Sequence, residues 1–134
     1  VGRGISFSVA LESALKFKET SVIQAEAFSG AEIKHGPMAL IHDGYPLLIF
    51  ATRGPAQQGL IALAEEMRGR GANVLLAAPE DVKERNLTLA TTATPDLDPI
   101  AAIQSFYVMA AELSLARGLN PDQPRHLSKV TKTN

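Results

Sequence analysis

An α/β domain built on a parallel sheet is the fold class this sequence predicts, and three observations predict it. Leu47–Thr52 and Asn73–Ala78 are short runs almost wholly apolar, as expected of strands covered on both faces. Between them lies one amphipathic helical stretch at the spacing a parallel crossover needs. Long helical patterns also flank this unit, in a chain rich in alanine and leucine with only 5% aromatic residues. At 134 residues there is room for one domain.

The elements follow in order. Gly2-Arg3-Gly4 precedes a helix, which fits a tight strand-to-helix turn at the carboxyl edge of a sheet. It is also half of a glycine-rich nucleotide turn, but Phe7 stands where G-x-G-x-x-G requires its last glycine. The chain begins at Val1 with no element ahead of this turn, so the expectation is a first strand that starts upstream. From Phe7 to about Thr20, at 100° per residue, Phe7, Ala10, Leu11, Ala14, Leu15 and Phe17 share one arc, which is read as the core face. Lys18 falls inside that arc. Ser29 is placed to start a short helix that stops at Gly36-Pro37. Strand Leu47–Thr52 leads through Gly54-Pro55 into a helix from Gln57 to Arg70, with Gly71 as its stop, and Asn73–Ala78 follows as the second strand. Leu87–Ala90 reads as a weaker third strand. The last helix, from Asp98 or Pro99 to Arg117, is apolar nearly all round and is expected to be buried centrally or against a partner chain. Residues 1–118 form the core in this reading, and residues 119–134 a tail or active-site arm.

Composition narrows function by exclusion. Thirteen basic and fourteen acidic side chains nearly cancel, so the basic excess of a dedicated nucleic-acid binder is missing. No uninterrupted apolar run approaches the ~20 residues of a membrane span, so no membrane role is expected. Cysteine is absent, which removes thiol nucleophiles and thiolate metal sites, and three scattered histidines show no metal-ligand spacing. G-x-S-x-G, P-loop and complete dinucleotide fingerprints are all lacking.

The chemistry that remains is acid–base. Glu12, Lys16 and Glu19 stand at i, i+4 and i+7 and project from one side of the first helix. Two carboxylates beside an ammonium allow one acid to stay charged while another carries a proton, though three such charges also describe an ordinary solvated face. His35, next to Gly36-Pro37, has the side chain best suited to moving a proton near neutral pH, and it is equally readable as structural.

The residues Gly2-Arg3-Gly4, Ala10-Leu11-Glu12, Ala14-Leu15-Lys16, Lys18-Glu19, Ala25-Glu26-Ala27-Phe28 and Glu32-Ile33-Lys34-His35-Gly36-Pro37, with the ending Pro121-Asp122-Gln123-Pro124-Arg125-His126-Leu127-Ser128-Lys129, carry a resemblance. The chain resembles the second sugar isomerase (SIS) domain of glucosamine-6-phosphate synthase and its deaminase relatives. That resemblance implies a five-stranded parallel sheet between helices, with the first strand cut short here, and a cytoplasmic parent carrying another SIS domain ahead of this one. It implies a sugar 6-phosphate substrate, a homodimer, and no metal or redox cofactor. It assigns Glu19 as the base that moves a proton between C1 and C2 of the open-chain sugar. His35 becomes the ring-opening residue contributed across the dimer, and Lys129 the lysine that forms an imine with the ketose. Glu12, Lys16 and the Gly2, Arg3, Gly4 turn are placed as substrate-binding. The serine- and threonine-rich phosphate loop of the family's first domain has no counterpart; Ala51-Thr52-Arg53-Gly54-Pro55 stands at the corresponding strand end without that series of hydroxyls. Phe28-Ser29, His35-Gly36-Pro37-Met38 and the ending His126-Leu127-Ser128-Lys129-Val130-Thr131 are more similar to deaminase-type and related phosphosugar isomerases than to the synthase. Deaminase or isomerase chemistry is therefore the leading expectation, the synthase the alternative, and a non-catalytic sugar-phosphate sensor a third.

Overall fold

The computed structural model describes residues 1–127. Three helices and three strands dominate: α1 (Ser6–Ser21), β1 (Pro46–Phe50), α2 (Gln57–Gly69), β2 (Asn73–Ala78), β3 (Leu87–Thr88) and α3 (Asp98–Ala116). The strands form a parallel sheet in the order β1-β2-β3, with Pro46 to Phe50 paired to Asn73 to Ala77. β3 adds only the pairs Ala77 with Leu87 and Ala78 with Thr88.

Parallel hydrogen bonding continues past the free edge of β1. Val1 donates its amine to the Leu48 carbonyl (2.6 Å), and its own carbonyl accepts the Phe50 N–H (2.9 Å). On the far side of Val1, Gly2 forms a single parallel bridge with Ser29. The resulting order is Ser29, Val1–Gly2, β1, β2, β3. Of the five strands expected, three form among the described residues. The other two positions are held by Val1–Gly2 and Ser29, after which the chain turns at Gly4 and enters a 3₁₀ turn (Glu32–Lys34).

Alternation along β1 sends side chains into two cores. Leu47, Ile49 and Ala51 meet Leu60, Leu63, Ala64 and Met67 of α2, together with Ile33 of the 3₁₀ turn. Leu48 and Phe50 face the other way, toward Val9, Ala10 and Phe17 of α1 and Ala102, Phe106 and Ala110 of α3. Phe106 takes edge-on contacts from Phe17 (centroids 5.1 Å) and Phe50 (6.0 Å), the arrangement aromatic quadrupoles favour.

Two readings of helix faces are corrected. Leu11 and Leu15, expected in the core, are 52% and 42% exposed, and the buried face of α1 is Ser6, Val9, Ala10, Ser13 and Ala14. Serine occupies that face because its hydroxyl bonds back into the helix: Ser13 Oγ donates to the Val9 carbonyl at 2.7 Å. Leu11, Leu15 and Lys18 share the outward stripe, so Lys18 is exposed and crosses no core. α3 is not buried all round either. Ala102, Phe106, Ala110 and Ser114 form its inner stripe, whereas Ile100, Val108 and Leu115 face outward. By length and composition α3 is apolar enough to cross a membrane, but its inner stripe packs on the sheet and α1 as a domain helix does.

Candidate functional site

Gly2-Arg3-Gly4 is a tight turn into α1. Gly4 has φ of +59°, in the region that favours glycine, and a Cβ on Gly2 would collide with the Ser6 carbonyl oxygen in the first turn of the helix. Arg3 and Ser6 lock the entry, Arg3 N–H donating to Ser6 Oγ (3.1 Å) and Ser6 Oγ to the Arg3 carbonyl (2.9 Å). Arg3 itself is exposed. From this edge α1 runs back along the sheet for sixteen residues, about 24 Å at 1.5 Å per residue. It carries Glu12, Lys16 and Glu19 away from the turn, so the structure separates the glycine turn from the far carboxylate by most of a helix length.

It brings the three charged residues together. Lys16 Nζ lies 2.7 Å from Glu19 Oε2 and 3.6 Å from Glu12 Oε1, all three side chains being about two-thirds buried. The hydrogen bond to Glu19, working against burial, holds the Lys16 ammonium above the usual lysine pKa. A fourth member joins from α3, ninety-five positions along the chain: Tyr107 Oη donates to Glu12 Oε1 at 2.9 Å. Burial first, then the Glu12 carboxylate, push the phenol above its ordinary value. Sequence alone treated Tyr107 as part of an apolar helix; its one polar atom, facing a charged stripe on another helix, left no local signal.

The two helices end together, where α3 satisfies the last carbonyls of α1. Ser114 Oγ donates to the Thr20 carbonyl (2.7 Å) and Arg117 Nε to that of Ser21 (2.8 Å). Gly118 (φ +72°) then turns the chain across the end of α1. A cleft of about 180 Å³ lies between them, with Glu19, Thr20 and Val22 on one wall and Asn120, Gln123 and Arg125 on the other. The segment after Gly118 thus passes Glu19. Lys129, further along it, lies outside the described residues.

His35 is exposed, just after the 3₁₀ turn whose Ile33 packs in the α2 layer, on the other side of the sheet from α1. Lys34 beside it pairs with Glu66 of α2 at 2.5 Å. His35 and Glu19 are not brought together within one copy of the chain. At the β1 end, Arg53 grips Asp98 at the start of α3, Nε to Oδ2 at 2.7 Å and Nη2 to Oδ1 at 2.8 Å, and reaches the Thr92 carbonyl at 2.6 Å. Asp98 also accepts the Thr92 N–H and hydroxyl. The guanidinium first, and the Thr92 donors after it, hold this buried carboxyl down at about 2.

Comparison with known proteins points to one family. The family model described as SIS domain matches residues 1–116. The chain is 37% identical over 133 residues to a glutamine–fructose-6-phosphate aminotransferase (isomerizing) of Pyrococcus horikoshii, covering 96% of this chain and 22% of that protein. A solved structure from Silicibacter pomeroyi described as a phosphosugar isomerase is 37% identical with a TM-score of 0.79, over 90% of this chain and 37% of the other. The C-terminal domain of glucosamine-fructose-6-phosphate aminotransferase from Francisella tularensis is 28% identical with a TM-score of 0.79, over 92% of this chain and 36% of the other. The chain therefore spans about a fifth of the length of the curated relative it matches.

Proposed function

This chain belongs to the SIS-domain family, and from that premise we propose that it is the isomerase domain of an amino-sugar phosphate enzyme of the glutamine–fructose-6-phosphate aminotransferase kind. Its reaction moves a proton between C1 and C2 of an open-chain hexose 6-phosphate. The observation that carries the reading is the Glu12–Lys16–Glu19 cluster, whose Glu19 lines a cleft bordered by the segment after α3. Likeness to the aminotransferases puts this reading ahead of the deaminase chemistry that the chain's phrases suggested. Deaminase or simple isomerase chemistry stands second, favoured by those phrases and by the Silicibacter pomeroyi likeness.

In this mechanism Lys129 attacks the ketose carbonyl at C2 and, with loss of water, forms an imine. Ammonia displaces the lysine and leaves a protonated imine at C2 that acidifies the C1 proton. Glu19 then takes the C1 proton and returns it at C2 while the C1 hydroxyl gives up its own proton, turning the ketose imine into the 2-amino aldose. Lys16 keeps Glu19 oriented, and the arm shields the site from water. A second copy of the chain supplies His35 for ring opening, consistent with its exposure and with the exposed Leu11, Leu15, Val108 and Leu115 on the outer helices. The sugar phosphate and the second copy are parts of this proposal.

Product analysis of the full-length protein tests it. Glucosamine 6-phosphate formed from fructose 6-phosphate and glutamine supports the first reading. Ammonia released from glucosamine 6-phosphate, without glutamine use, moves the assignment to the deaminase.

A further inference from the structure

Helix geometry alone favours the wrong partner for Lys16. A glutamate four residues before a lysine is the better-oriented pair on a helix, so Glu12 has the advantage over Glu19 for the ammonium. The distances are reversed: 3.6 Å to Glu12 and 2.7 Å to Glu19. What differs between the two carboxylates is a donor from another helix. The Glu12 oxygen nearest Lys16, Oε1, is the same atom that accepts the Tyr107 hydroxyl at 2.9 Å.

We propose that Tyr107 is a positioning residue: its phenol occupies Glu12 Oε1 and so leaves the Lys16 ammonium to Glu19. No bond is made or broken; the hydroxyl chooses which carboxylate the ammonium serves. This rests on the reading of Glu19 as the proton-transfer base. Among the described residues Glu19 has the Lys16 ammonium at 2.7 Å, and Arg125 lines the other wall of its cleft. Lys16 is the cation in direct contact with it.

The test uses Tyr107→Phe, which keeps the ring and removes the hydroxyl, alone and with Glu12→Gln. In the full-length protein, solvent deuterium exchange at C1 and C2 of fructose 6-phosphate is followed at neutral pH. Tyr107→Phe lowers kcat for exchange by about three- to ten-fold, with KM within about two-fold. In the Glu12→Gln background, where no carboxylate competes for Lys16, the same substitution leaves kcat unchanged. In parallel, crystal structures of the full-length variants give the distance from Lys16 Nζ to the Glu19 carboxylate. It lengthens in Tyr107→Phe and does not in the double variant. An unchanged distance overturns the positioning role, as does a lengthening that persists in the Glu12→Gln background. A lengthened distance with an unchanged kcat upholds the positioning and overturns the assignment of Glu19 as base.

Discussion

Arg53 and Asp98 tie the carboxyl end of β1 to the first residue of α3 through a two-pronged ion pair, Nε to Oδ2 at 2.7 Å and Nη2 to Oδ1 at 2.8 Å. Asp98 is 1% exposed and its carboxyl titrates at about 2, below its ordinary 3.8. A depressed acid stabilises the fold above its unfolded pKa, and that contribution disappears as pH falls through the folded value. The shift corresponds to about 2 kcal/mol. Arg53→Met, which leaves the buried carboxylate with only its Thr92 donors, costs roughly 2 to 4 kcal/mol at pH 7. Urea unfolding from pH 7 to pH 2 checks it: the gap between wild type and variant holds down to about pH 4 and closes toward pH 2.

Gly2 and Gly4 make the same turn for different reasons, and substitution separates them. Gly2→Ala drives a Cβ into the backbone of Ser6 and displaces the first turn of α1, costing about 1 to 3 kcal/mol. Gly4→Ala meets open space and pays only for its positive φ, about 1 kcal/mol. Thermal unfolding of the two variants gives the order; a larger loss at Gly4 contradicts it.

Glu19→Gln is expected to lower C1/C2 proton exchange in the full-length protein by about 10²- to 10⁴-fold while sugar-phosphate affinity stays within a few fold. Exchange measured by deuterium incorporation decides the matter. Unchanged exchange removes Glu19 from the role of base.

Lys129 is tested by chemistry that needs no structure of the arm. Borohydride added with fructose 6-phosphate reduces an imine to a stable amine, so the wild type gains the mass of the sugar phosphate less one oxygen and Lys129→Arg does not. Equal labelling of both sends the imine to another amine, and labelling of neither removes it from the reaction.

If a second copy supplies His35, as proposed, mixing experiments detect it. Glu19→Gln and His35→Ala proteins, each impaired alone, regain about a quarter of wild-type activity when unfolded together and reassembled, because half of the dimers are hybrids and each hybrid has one intact site. No recovery places His35 with the Glu19 of its own chain or outside the reaction.

The architecture was legible where apolar periodicity and punctuation agreed: Gly71 and Gly118 stop the helices the pattern draws, and β2 occupies the run read for it. The face of α1 was not. Leu11 and Leu15 outrank Ser6 and Ser13 on any hydrophobic scale, yet the serines are buried because a hydroxyl that bonds a nearby backbone carbonyl, Arg3 for Ser6 and Val9 for Ser13, brings no unsatisfied group into the core. The acid–base stripe was visible from i, i+4, i+7 spacing. Tyr107, Arg53 and Asp98 were not, since each acquires its meaning from a partner forty-five or more positions away.

The clasp between the ends of α1 and α3 makes α3 a ruler. Phe106 fixes one mark on the sheet, and Ser114 and Arg117 fix two more on the last carbonyls of α1. One residue inserted between Phe106 and Ser114 turns everything beyond it by about 100° and advances it by about 1.5 Å. Ser114 then leaves Thr20, and the chain after Gly118 departs in a different direction from Glu19. An inserted residue is therefore expected to be tolerated between Lys83 and Glu84, both exposed, where a longer loop costs little, and to disrupt the fold in the second half of α3.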